Sequence, residues 1–296
     1  MSFQKIFILG AGAIGSCYGV ILSRNNDVTL IGTQANVDSV KSHGLVIKGD
    51  IEGRFPVEIE TRISEIPPNS LIILTTKAHD AVEAATELKP LLRSDTVLLA
   101  LQNGLKIREL IRRAVGDKCE VVRGLVLMAA ESLEPGKITF WNGPTIIEHT
   151  KTGDKIQALF EKSGVKARVT ADIEKDEWNK LVVNCVINPL TAILRVRNNE
   201  ICVVSLKEIR RGIIEECSLV AEAEGIHLEQ SLETEIDRKI RGYTNYSSMY
   251  QDVAKGRETE ISFLNGKIVE LGRKHGIRTP VNETLVSLIK FMEAKK

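Results

Sequence analysis

The feature that most restricts the fold of this chain is a set of three glycines directly after an apolar run. Gly10, Gly12 and Gly15 have the spacing G-x-G-x-x-G, follow the segment Ile6–Leu9, and lead into helical periodicity from Ala13. The first glycine of such a set permits a tight turn, and the last lets a helix pack closely against the strand. The pattern therefore predicts a strand, a glycine turn and a helix, which together begin a βαβ unit.

The first half of the chain alternates between apolar runs and helical stretches. Strands are predicted at Ile6–Leu9, Val28–Ile31, Leu71–Thr75 and Thr96–Leu101, and helices at Ala13–Arg24, Asp80–Leu92 and Lys106–Val115. Uninterrupted runs of Val, Ile and Leu suit parallel strands buried on both faces, so we expect a doubly wound sheet with right-handed crossovers. Further strands are expected at Gly44–Lys48 and Arg54–Glu60, and a meander is expected from Val121–Ala130 with Lys137–Trp141.

After about Thr170 the apolar residues recur with the period of a helix. Helices are predicted at Glu174–Ile187, Leu206–Glu224, Leu232–Arg241 and Ile261–Lys274. Gly225 and Gly276 stand where glycines end helices. We therefore predict an α/β chain with an N-terminal doubly wound Rossmann-type domain, residues 1–170, and a second, mainly helical domain, residues 171–296.

Composition excludes several classes of function. The chain has 40 Lys and Arg residues against 39 Asp and Glu, and this net charge of +1 gives no field that would hold nucleic acid or an anionic membrane. The five cysteines form no Cys-x-x-Cys pair, which indicates reduced thiols rather than a metal site or a disulfide framework. No apolar run approaches the ~20 residues that span a bilayer, and no signal peptide is evident. We expect a cytoplasmic protein.

The glycine turn is the first candidate binding site. In Gly10-Ala11-Gly12-Ala13-Ile14-Gly15 the backbone can approach a pyrophosphate that meets the start of the helix. The alternative is a turn that binds no ligand. The second strand ends at Thr33-Gln34 with neither the carboxylate that binds the ribose of NAD nor an arginine for the 2′-phosphate of NADP. Thr33, Gln34 or Lys41 would have to hold that phosphate; NADPH is favoured, and NADH stays open.

Two further candidates follow the ends of predicted parallel strands. Lys77 comes after Leu71–Thr75, and Asn103 comes after Thr96–Leu101. Ligands in open α/β sheets bind at the carboxyl ends of the strands, so both side chains are placed to face a cofactor or a substrate. The alternatives are a solvated lysine and an Asn-Gly turn chosen for its backbone.

A polar stripe runs along the first helix of the second domain. Lys180, Asn184 and Asn188 have the spacing i, i+4 and i+8, so they share one helix face in an otherwise apolar segment. Buried polar side chains need partners, and a polar substrate would supply them. The alternative is a lysine that reaches solvent beside capping asparagines. Pro189 removes one helical hydrogen bond and is expected to bend the helix.

The segment from Asn245 to Glu260 is less decisive. Ser247 or Ser248 is suited either to a ligand or to the cap of the next helix. Glu260 is suited either to a ligand or to the positive first turn of a helix.

Taken together, these motifs resemble the ketopantoate reductase family, whose members reduce 2-dehydropantoate. The resemblance covers essentially the whole chain and rests on the glycine turn, Lys77, Gln102-Asn103-Gly104, the run Lys180 to Ala192, and Ser247-Ser248-Met249 through Glu260. It implies reduction of 2-dehydropantoate to (R)-pantoate by NADPH, on the route to pantothenate and coenzyme A. The arginine usual after the second strand is absent here.

The resemblance also assigns roles to individual residues. Lys180 is the implied proton donor. The implied substrate-binding residues are Asn103, Lys180, Asn184, Asn188, Asn198, Asn245, Tyr246, Ser247 and Ser248. The implied cofactor-binding residues are Gly10, Ala11, Gly12, Ala13, Ile14, Gly15, Lys77, Asn103, Ala130 and Glu260. The expected partners are a small 2-keto acid and a second copy of the chain, and no metal is expected.

Three other functions stay open at this point. One is a related 2-keto-acid or hydroxy-acid dehydrogenase of the same two-domain build. A second is a non-catalytic NAD(P)-binding sensor, which the retention of Lys180 on a polar stripe disfavours. The third is an assembly module that uses an apolar patch and keeps a vestigial nucleotide site.

Overall fold

The chain folds as two compact units. The computed structural model describes residues 3–229 and 231–295, with the backbone alone at Leu133. One unit takes the chain up to Gln102 together with Lys106–Ile173, and the other takes Asn103–Leu105 and the chain from Glu174 onward. The short segment Asn103–Leu105 belongs to the second unit because the buried side chain of Leu105 lies in its core.

The first unit contains two sheets. Its strands, β1 to β12 in chain order, are Lys5–Leu9, Val28–Ile31, Leu45–Gly49, Gly53–Phe55, Glu58–Glu60, Ser70–Leu74, Val97–Ala100, Glu120–Val126, Ala129–Glu134, Lys137–Trp141, Thr145–Glu148 and Ala167–Thr170. Over the described residues, eight strands form one sheet in the order β12-β11-β8-β7-β6-β1-β2-β5, and four form another in the order β4-β3-β10-β9. Neighbours in the larger sheet are parallel except β8 with β11.

Helices connect the parallel strands of the larger sheet. They are α1 to α5, at Ala13–Leu22, Gln34–His43, Ala81–Leu88, Ile107–Val115 and Lys151–Ser163. Strands β2, β6 and β7 are buried along their whole length, as expected for parallel strands covered on both faces. The predicted doubly wound domain is confirmed.

The interior of the first unit is largely apolar. Within it, the Tyr18 ring lies 5.5 Å from the ring of Phe160, and its hydroxyl is 2.5 Å from that of Thr145. Burial raises the pKa of Tyr18 well above the usual value of a tyrosine.

The predicted meander is wrong in one respect. The strands β9 and β10 do pair antiparallel around Pro135 and Gly136, but they do so in the smaller sheet. The strand β8 stays in the larger sheet, between β7 and β11. All but its first residue are buried, so it needs cover on both faces and cannot serve as the outer strand of a hairpin.

The second unit is helical, as predicted. Its helices, α6 to α11, are Ile173–Leu194, Lys207–Ala223, Leu232–Arg241, Ser248–Ala254, Asn265–Lys274 and Pro280–Ala294. Gly225 and Gly276 have φ angles of +83° and +69° and end α7 and α10 as predicted. In each case the next residue's N–H donates back into the last turn, from Ile226 to the Ala221 carbonyl and from Ile277 to the Gly272 carbonyl.

The prediction that α6 ends at Ile187 is wrong, because the helix runs through Pro189 to Leu194. Proline has no N–H, so the carbonyl of Cys185, four residues earlier, loses its helical donor. The side-chain amide of Asn265 donates to that carbonyl at 3.0 Å instead. A proline in a helix interior is tolerated when another donor satisfies the carbonyl that it leaves free.

Candidate active site

The glycine turn joins β1 to α1 at the carboxyl edge of the larger sheet. Gly10 has φ +116°, a left-handed conformation that other residues rarely adopt. A Cβ at this position would lie 2.7 Å from the backbone nitrogen of Thr76. The Thr75 hydroxyl donates to the Gly10 carbonyl at 2.8 Å, which ties the turn to the end of β6. Glycine is therefore required here by the backbone itself.

Gly12 and Gly15 serve different purposes. A Cβ on Gly15 would collide with the Gly10 carbonyl oxygen and the Thr75 hydroxyl, whereas no atom lies within 4 Å of a Cβ built on Gly12. Gly12 is also the N-cap of α1, and no side chain caps this end. The first N–H groups of a helix lack intrahelical partners and sit at its positive end. Open space beside such donors fits the pyrophosphate of a dinucleotide.

Thr33 caps α2 at the end of the second strand. Its oxygen accepts from the Asn36 N–H at 3.4 Å, and its hydroxyl donates to Asn36 Oδ1 at 2.6 Å. The Asn36 amide in turn donates to the Ala11 carbonyl at 3.3 Å, so the start of α2 is linked to the glycine turn. Thr33 and Gln34 are exposed. Lys41 is in the last turn of α2, ~12 Å along the axis from Thr33, so it does not stand beside it.

Two more predicted cofactor residues lie in the same unit as the glycine turn. Lys77 follows β6 and is half-buried, and Ala130 lies in β9 against the core. His79 was not among the predicted residues, and its Nδ1 is buried with no hydrogen-bond partner among the residues described. An unsatisfied buried ring nitrogen close to Lys77 is the kind of group that a ligand or an ordered water satisfies.

The predicted polar stripe lies on α6. Lys180, Asn184 and Asn188 occupy successive turns of this continuous helix and share one face. Lys180 and Asn184 are half-buried, and Asn188 is only 5% exposed. Other positions of the helix, among them Val182 and Cys185, are fully buried in the second core. One face of α6 thus carries the ammonium of Lys180 and the amides of Asn184 and Asn188, and apolar residues surround them.

Asn198 and Asn245 meet through their backbones, since the Asn198 N–H donates to the Asn245 carbonyl at 3.1 Å. Asn198 is 4% exposed, and its Oδ1 has no hydrogen-bond partner in the described part of the chain. A buried amide oxygen without a donor costs stability unless a ligand or a water supplies one. Asn198 therefore offers an acceptor for a ligand hydroxyl or amine.

Tyr246 lies in a stack that the sequence analysis did not foresee. The centroids of the Tyr246 and Tyr250 rings lie 4.4 Å apart, with an interplanar angle of 14°. The guanidinium carbon of Arg197 lies 4.5 Å from the centroid of the Tyr246 ring. Arg197 Nη1 also donates to the Thr244 carbonyl at 2.7 Å. Because Arg197 precedes Asn198 and Tyr246 follows Asn245, these contacts hold together the two chain segments that carry the asparagines.

Asn103 and Glu260 are far apart in the sequence and form a direct hydrogen bond in the second unit. The Asn103 amide donates to Glu260 Oε2 at 2.8 Å, and Glu260 is 5% exposed. The structure thus brings together two residues that separate motifs predicted.

The predicted helix cap is confirmed at Ser247, whereas a ligand-binding role of either serine stays a prediction. Ser247 is the N-cap of α9, where its oxygen accepts from the Tyr250 N–H at 3.0 Å and lies 2.7 Å from the Thr191 hydroxyl. Ser247 is buried by these contacts. Ser248 is exposed and is the better placed of the two to meet a ligand.

A buried arginine that the sequence analysis missed fixes the end of β7. Arg123 is 1% exposed and donates to the carbonyls of Ala100, Gly124 and Gln102 at 2.6–2.9 Å. It holds the backbone that leads to Asn103. Its position inside the apolar run of β8 was the available signal.

Two family models match most of the chain. The model described as ketopantoate reductase PanE/ApbA matches residues 6–152, and the model described as its C terminal matches residues 172–293. The chain belongs to the ketopantoate reductase family. It is accordingly an oxidoreductase, and the resemblance inferred from the sequence is confirmed.

Individual relatives of this ketopantoate reductase family member are similar to it over nearly the full length of the chain. The 2-dehydropantoate 2-reductase of Pyrococcus horikoshii is 36% identical over 305 residues, which cover 98% of each chain. A crystal structure of a PanE/ApbA family ketopantoate reductase from Ralstonia eutropha has a TM-score of 0.90 at 31% identity, covering 98% of this chain and 99% of that one. A D-mandelate dehydrogenase in ternary complex with NADH and anilino(oxo)acetate has a TM-score of 0.89 at 28% identity, with the same coverage.

Two features are absent from the described residues of this family member, namely a metal-binding cluster and a membrane-spanning helix. No three of its His, Cys, Asp or Glu side chains are grouped so that they could bind a metal ion. None of the helices in residues 3–229 and 231–295 has the length and apolar character needed to cross a membrane.

Proposed function

We propose that this protein reduces 2-dehydropantoate to (R)-pantoate with NADPH, a step toward pantothenate and coenzyme A. The observation that carries the proposal is the α6 face, on which Lys180 stands one turn from Asn184 and two turns from Asn188. A cation beside neutral amides suits a 2-keto acid, because one group must meet the reacting oxygen and others must meet the carboxylate and hydroxyl. Full-length relatives named 2-dehydropantoate 2-reductase support the same substrate.

Lys180 is the proposed proton donor. As a ketone is reduced, negative charge develops on its oxygen, and an ammonium hydrogen-bonded to that oxygen stabilises the charge and then gives up a proton. An ordinary lysine carries that proton at neutral pH. The half-buried setting of Lys180 limits the competition from water for this contact.

The remaining polar groups of the second unit are proposed to bind and orient the substrate. Asn184, Asn188, Asn245, Tyr246, Ser247 and Ser248 supply neutral donors and acceptors, and Asn198 supplies the unpartnered Oδ1 described above. Neutral groups bind a carboxylate and a hydroxyl without placing further charge near Lys180. Asn103, whose amide is held by Glu260, is proposed to contact both substrate and cofactor.

The proposed cofactor residues are the glycine turn Gly10–Gly15, Lys77, Asn103, Ala130 and Glu260. NADPH, when bound, supplies the hydride. The turn's contribution is electrostatic and steric, since the first N–H groups of α1 lack helical partners and the space beside Gly12 is open. The absence of a carboxylate at Thr33 supports NADPH over NADH. The related D-mandelate dehydrogenase binds NADH, so the choice of cofactor has to be measured.

The test is the oxidation of NADPH and of NADH with a panel of 2-keto acids that includes 2-dehydropantoate and phenylglyoxylate. We expect the highest kcat/KM with 2-dehydropantoate and NADPH. Lys180→Ala should lower kcat by about 10²–10⁴-fold, the usual loss of a positioned general acid. Lys175→Ala is the matched control, because Lys175 lies on the same helix but pairs with Glu229 near the surface, at 3.7 Å. Near wild-type kcat in Lys180→Ala, or a clear preference for an aromatic keto acid, would refute the proposal.

A further inference from the structure

A chain of buried hydrogen bonds ends on the backbone of α6 between Asn184 and Asn188. Its first member is Glu216 on α7, whose carboxylate accepts from the N–H groups of Val281 and Asn282 at 2.8 and 2.9 Å. These are two of the N–H groups that the first turn of α11 leaves without helical partners. The Glu216 carboxylate also accepts from the Asn282 side-chain amide at 2.7 Å.

The chain continues through Asn265 to α6. Asn265 Nδ2 donates to Asn282 Oδ1 at 2.9 Å and to the Cys185 carbonyl at 3.0 Å, so both of its N–H bonds are used. Asn265 and Asn282 are fully buried. Three helices, α7, α10 and α11, are thereby fixed to one carbonyl of α6.

That carbonyl is the one that Pro189 leaves free. The proline ring also presses against the carbonyl four residues before it, which bends a helix at that point. Lys180 and Asn184 precede the Cys185 carbonyl, and Asn188 stands directly before Pro189. The course of α6 from Cys185 to Pro189 therefore sets where the Asn188 amide stands relative to the other two side chains of the face.

We propose that Asn265 is a positioning residue for the reaction, which holds the α6 face in its productive shape through the carbonyl that Pro189 frees. This inference rests on the proposed function of Lys180, Asn184 and Asn188. Asn265 touches neither substrate nor cofactor; it acts through the helix backbone. The Asn282–Glu216 pair fixes Asn265, because it occupies the second N–H of the Asn265 amide.

The test is a double-mutant cycle of Asn265→Ala and Pro189→Ala in the full-length protein, read by Tm and by steady-state kinetics. Asn265→Ala strands the Cys185 carbonyl, so both Tm and kcat should fall, kcat by on the order of 10- to 100-fold as for a misplaced reacting group. Pro189→Ala supplies a helical N–H to the same carbonyl. In that background, Asn265→Ala should lower Tm less, since only Asn282 Oδ1 then loses its donor, whereas kcat should stay low because the proline that shapes α6 is gone.

Tm and kcat together distinguish a positioning role of Asn265 from a role in stability alone. If kcat returned with Tm in the double variant, Asn265 would serve stability alone and the inference would fall. An equal loss of Tm in both backgrounds would show that the Cys185 carbonyl is not its partner, with the same consequence. Binding of NADPH without substrate should change less than about twofold in every variant, since the glycine turn is untouched.

Two controls complete the design. Ile289→Ala opens a cavity on α11 without touching the hydrogen bonds, so it should lower Tm with kcat retained. If Asn265→Ala does not fold, Pro189→Ala alone decides, because the inference requires a low kcat in a folded protein. A wild-type kcat in Pro189→Ala would overturn it. The Tm cycle involves no catalysis, so it stands even if Lys180→Ala shows that the proposed function is wrong.

Discussion

Thr33 shows how one residue can serve the fold and a ligand together. The exposed threonine caps α2, and its position at the end of β2 is where the ribose of a dinucleotide is expected. A substitution meant to change cofactor choice must therefore keep the cap. Aspartate is as good an N-cap as threonine, whereas arginine is not.

For cofactor choice we expect wild-type protein to prefer NADPH by roughly tenfold, because neutral hydrogen bonds contribute only about 0.5–1.5 kcal/mol. Thr33→Asp should reverse the preference while Tm is kept, since the carboxylate repels a 2′-phosphate and preserves the cap. Gln34→Arg should widen the preference without removing the cap. The measurement is kcat/KM with each cofactor, with Thr33→Ser as the control. A wild-type protein that strongly favours NADH would contradict this description of the pocket.

Asn184→Ala should weaken binding of the keto acid by on the order of 1–3 kcal/mol, the cost of leaving a buried partner unpaired, and Ser248→Ala should weaken it less because Ser248 is exposed. Binding of NADPH in the absence of substrate should hardly change. Isothermal titration of each ligand separates the two effects. Asn179→Ala is the control, since it removes a similar amide from a different face of the same helix. An equal loss of cofactor affinity would place Asn184 and Ser248 with the cofactor instead.

At the scale of residues, sequence alone could find side chains whose spacing carries the signal. Lys180, Asn184 and Asn188 share a face because the helix has 3.6 residues per turn, and no partner is needed to see this. Asn265 could not be found in this way. Its importance depends on a carbonyl 80 positions earlier in the chain, and only the fold brings the two together.

At the scale of elements, the glycine turn gives a paired prediction. Gly15→Ala should lower Tm, because its Cβ would overlap the Gly10 carbonyl. Gly12→Ala should leave Tm nearly unchanged, since Gly12 has an ordinary φ of −75° and open space. It should weaken NADPH binding all the same, because the added methyl group occupies the room for the pyrophosphate. Calorimetry and fluorescence titration test the pair; unchanged NADPH binding in Gly12→Ala would show that the pyrophosphate lies elsewhere.

Elements with strong periodicity were predictable, and exposed or interrupted ones were not. The predicted helix Leu232–Arg241 has the bounds seen in the structure. The helix Gln34–His43 was not identified, because only Val37 and Val40 of its residues are buried and the apolar signal is weak. The helix Pro280–Ala294 was missed although a proline at its first position is a typical start signal.

At the scale of the whole molecule, each unit has a hydrophobic core of its own. Each also contains one of the two tryptophans, Trp141 in the first unit and Trp178 in the second. The alternation of strands and helices, followed by helices alone, was enough to predict this division into fold classes. The domain boundary near residue 170 stays a prediction that unfolding can test.

We expect single-tryptophan variants to report separate losses of stability. Tyr18→Phe leaves the buried Thr145 hydroxyl without its partner and should cost the first unit about 1–3 kcal/mol. Asp237→Ala removes the carboxylate that pairs at 2.8 Å with the buried Arg210 and should cost the second unit about 3–5 kcal/mol. Urea unfolding followed by Trp141 should respond mainly to the first change, and unfolding followed by Trp178 mainly to the second. Identical shifts at both probes would mean that the chain unfolds as one cooperative body.

The hydrogen bond from Asn103 to Glu260 depends on a side chain that is open to slow chemical damage. Asn103 precedes Gly104, and the lack of a side chain on a following glycine favours attack of its backbone nitrogen on the asparagine side-chain amide. The cyclic imide that forms releases ammonia, and water then opens it to aspartate or isoaspartate. Such deamidation is a common route of thermal ageing. The aspartate that results would set a second carboxylate against Glu260 in place of an N–H donor. Two other asparagines precede a glycine. Asn265 is protected by its helical backbone and full burial, whereas Asn142 is exposed in a loop and should deamidate readily. Of the three, only Asn103 is a proposed site residue, so we expect its deamidation to lower activity while the fold is still intact.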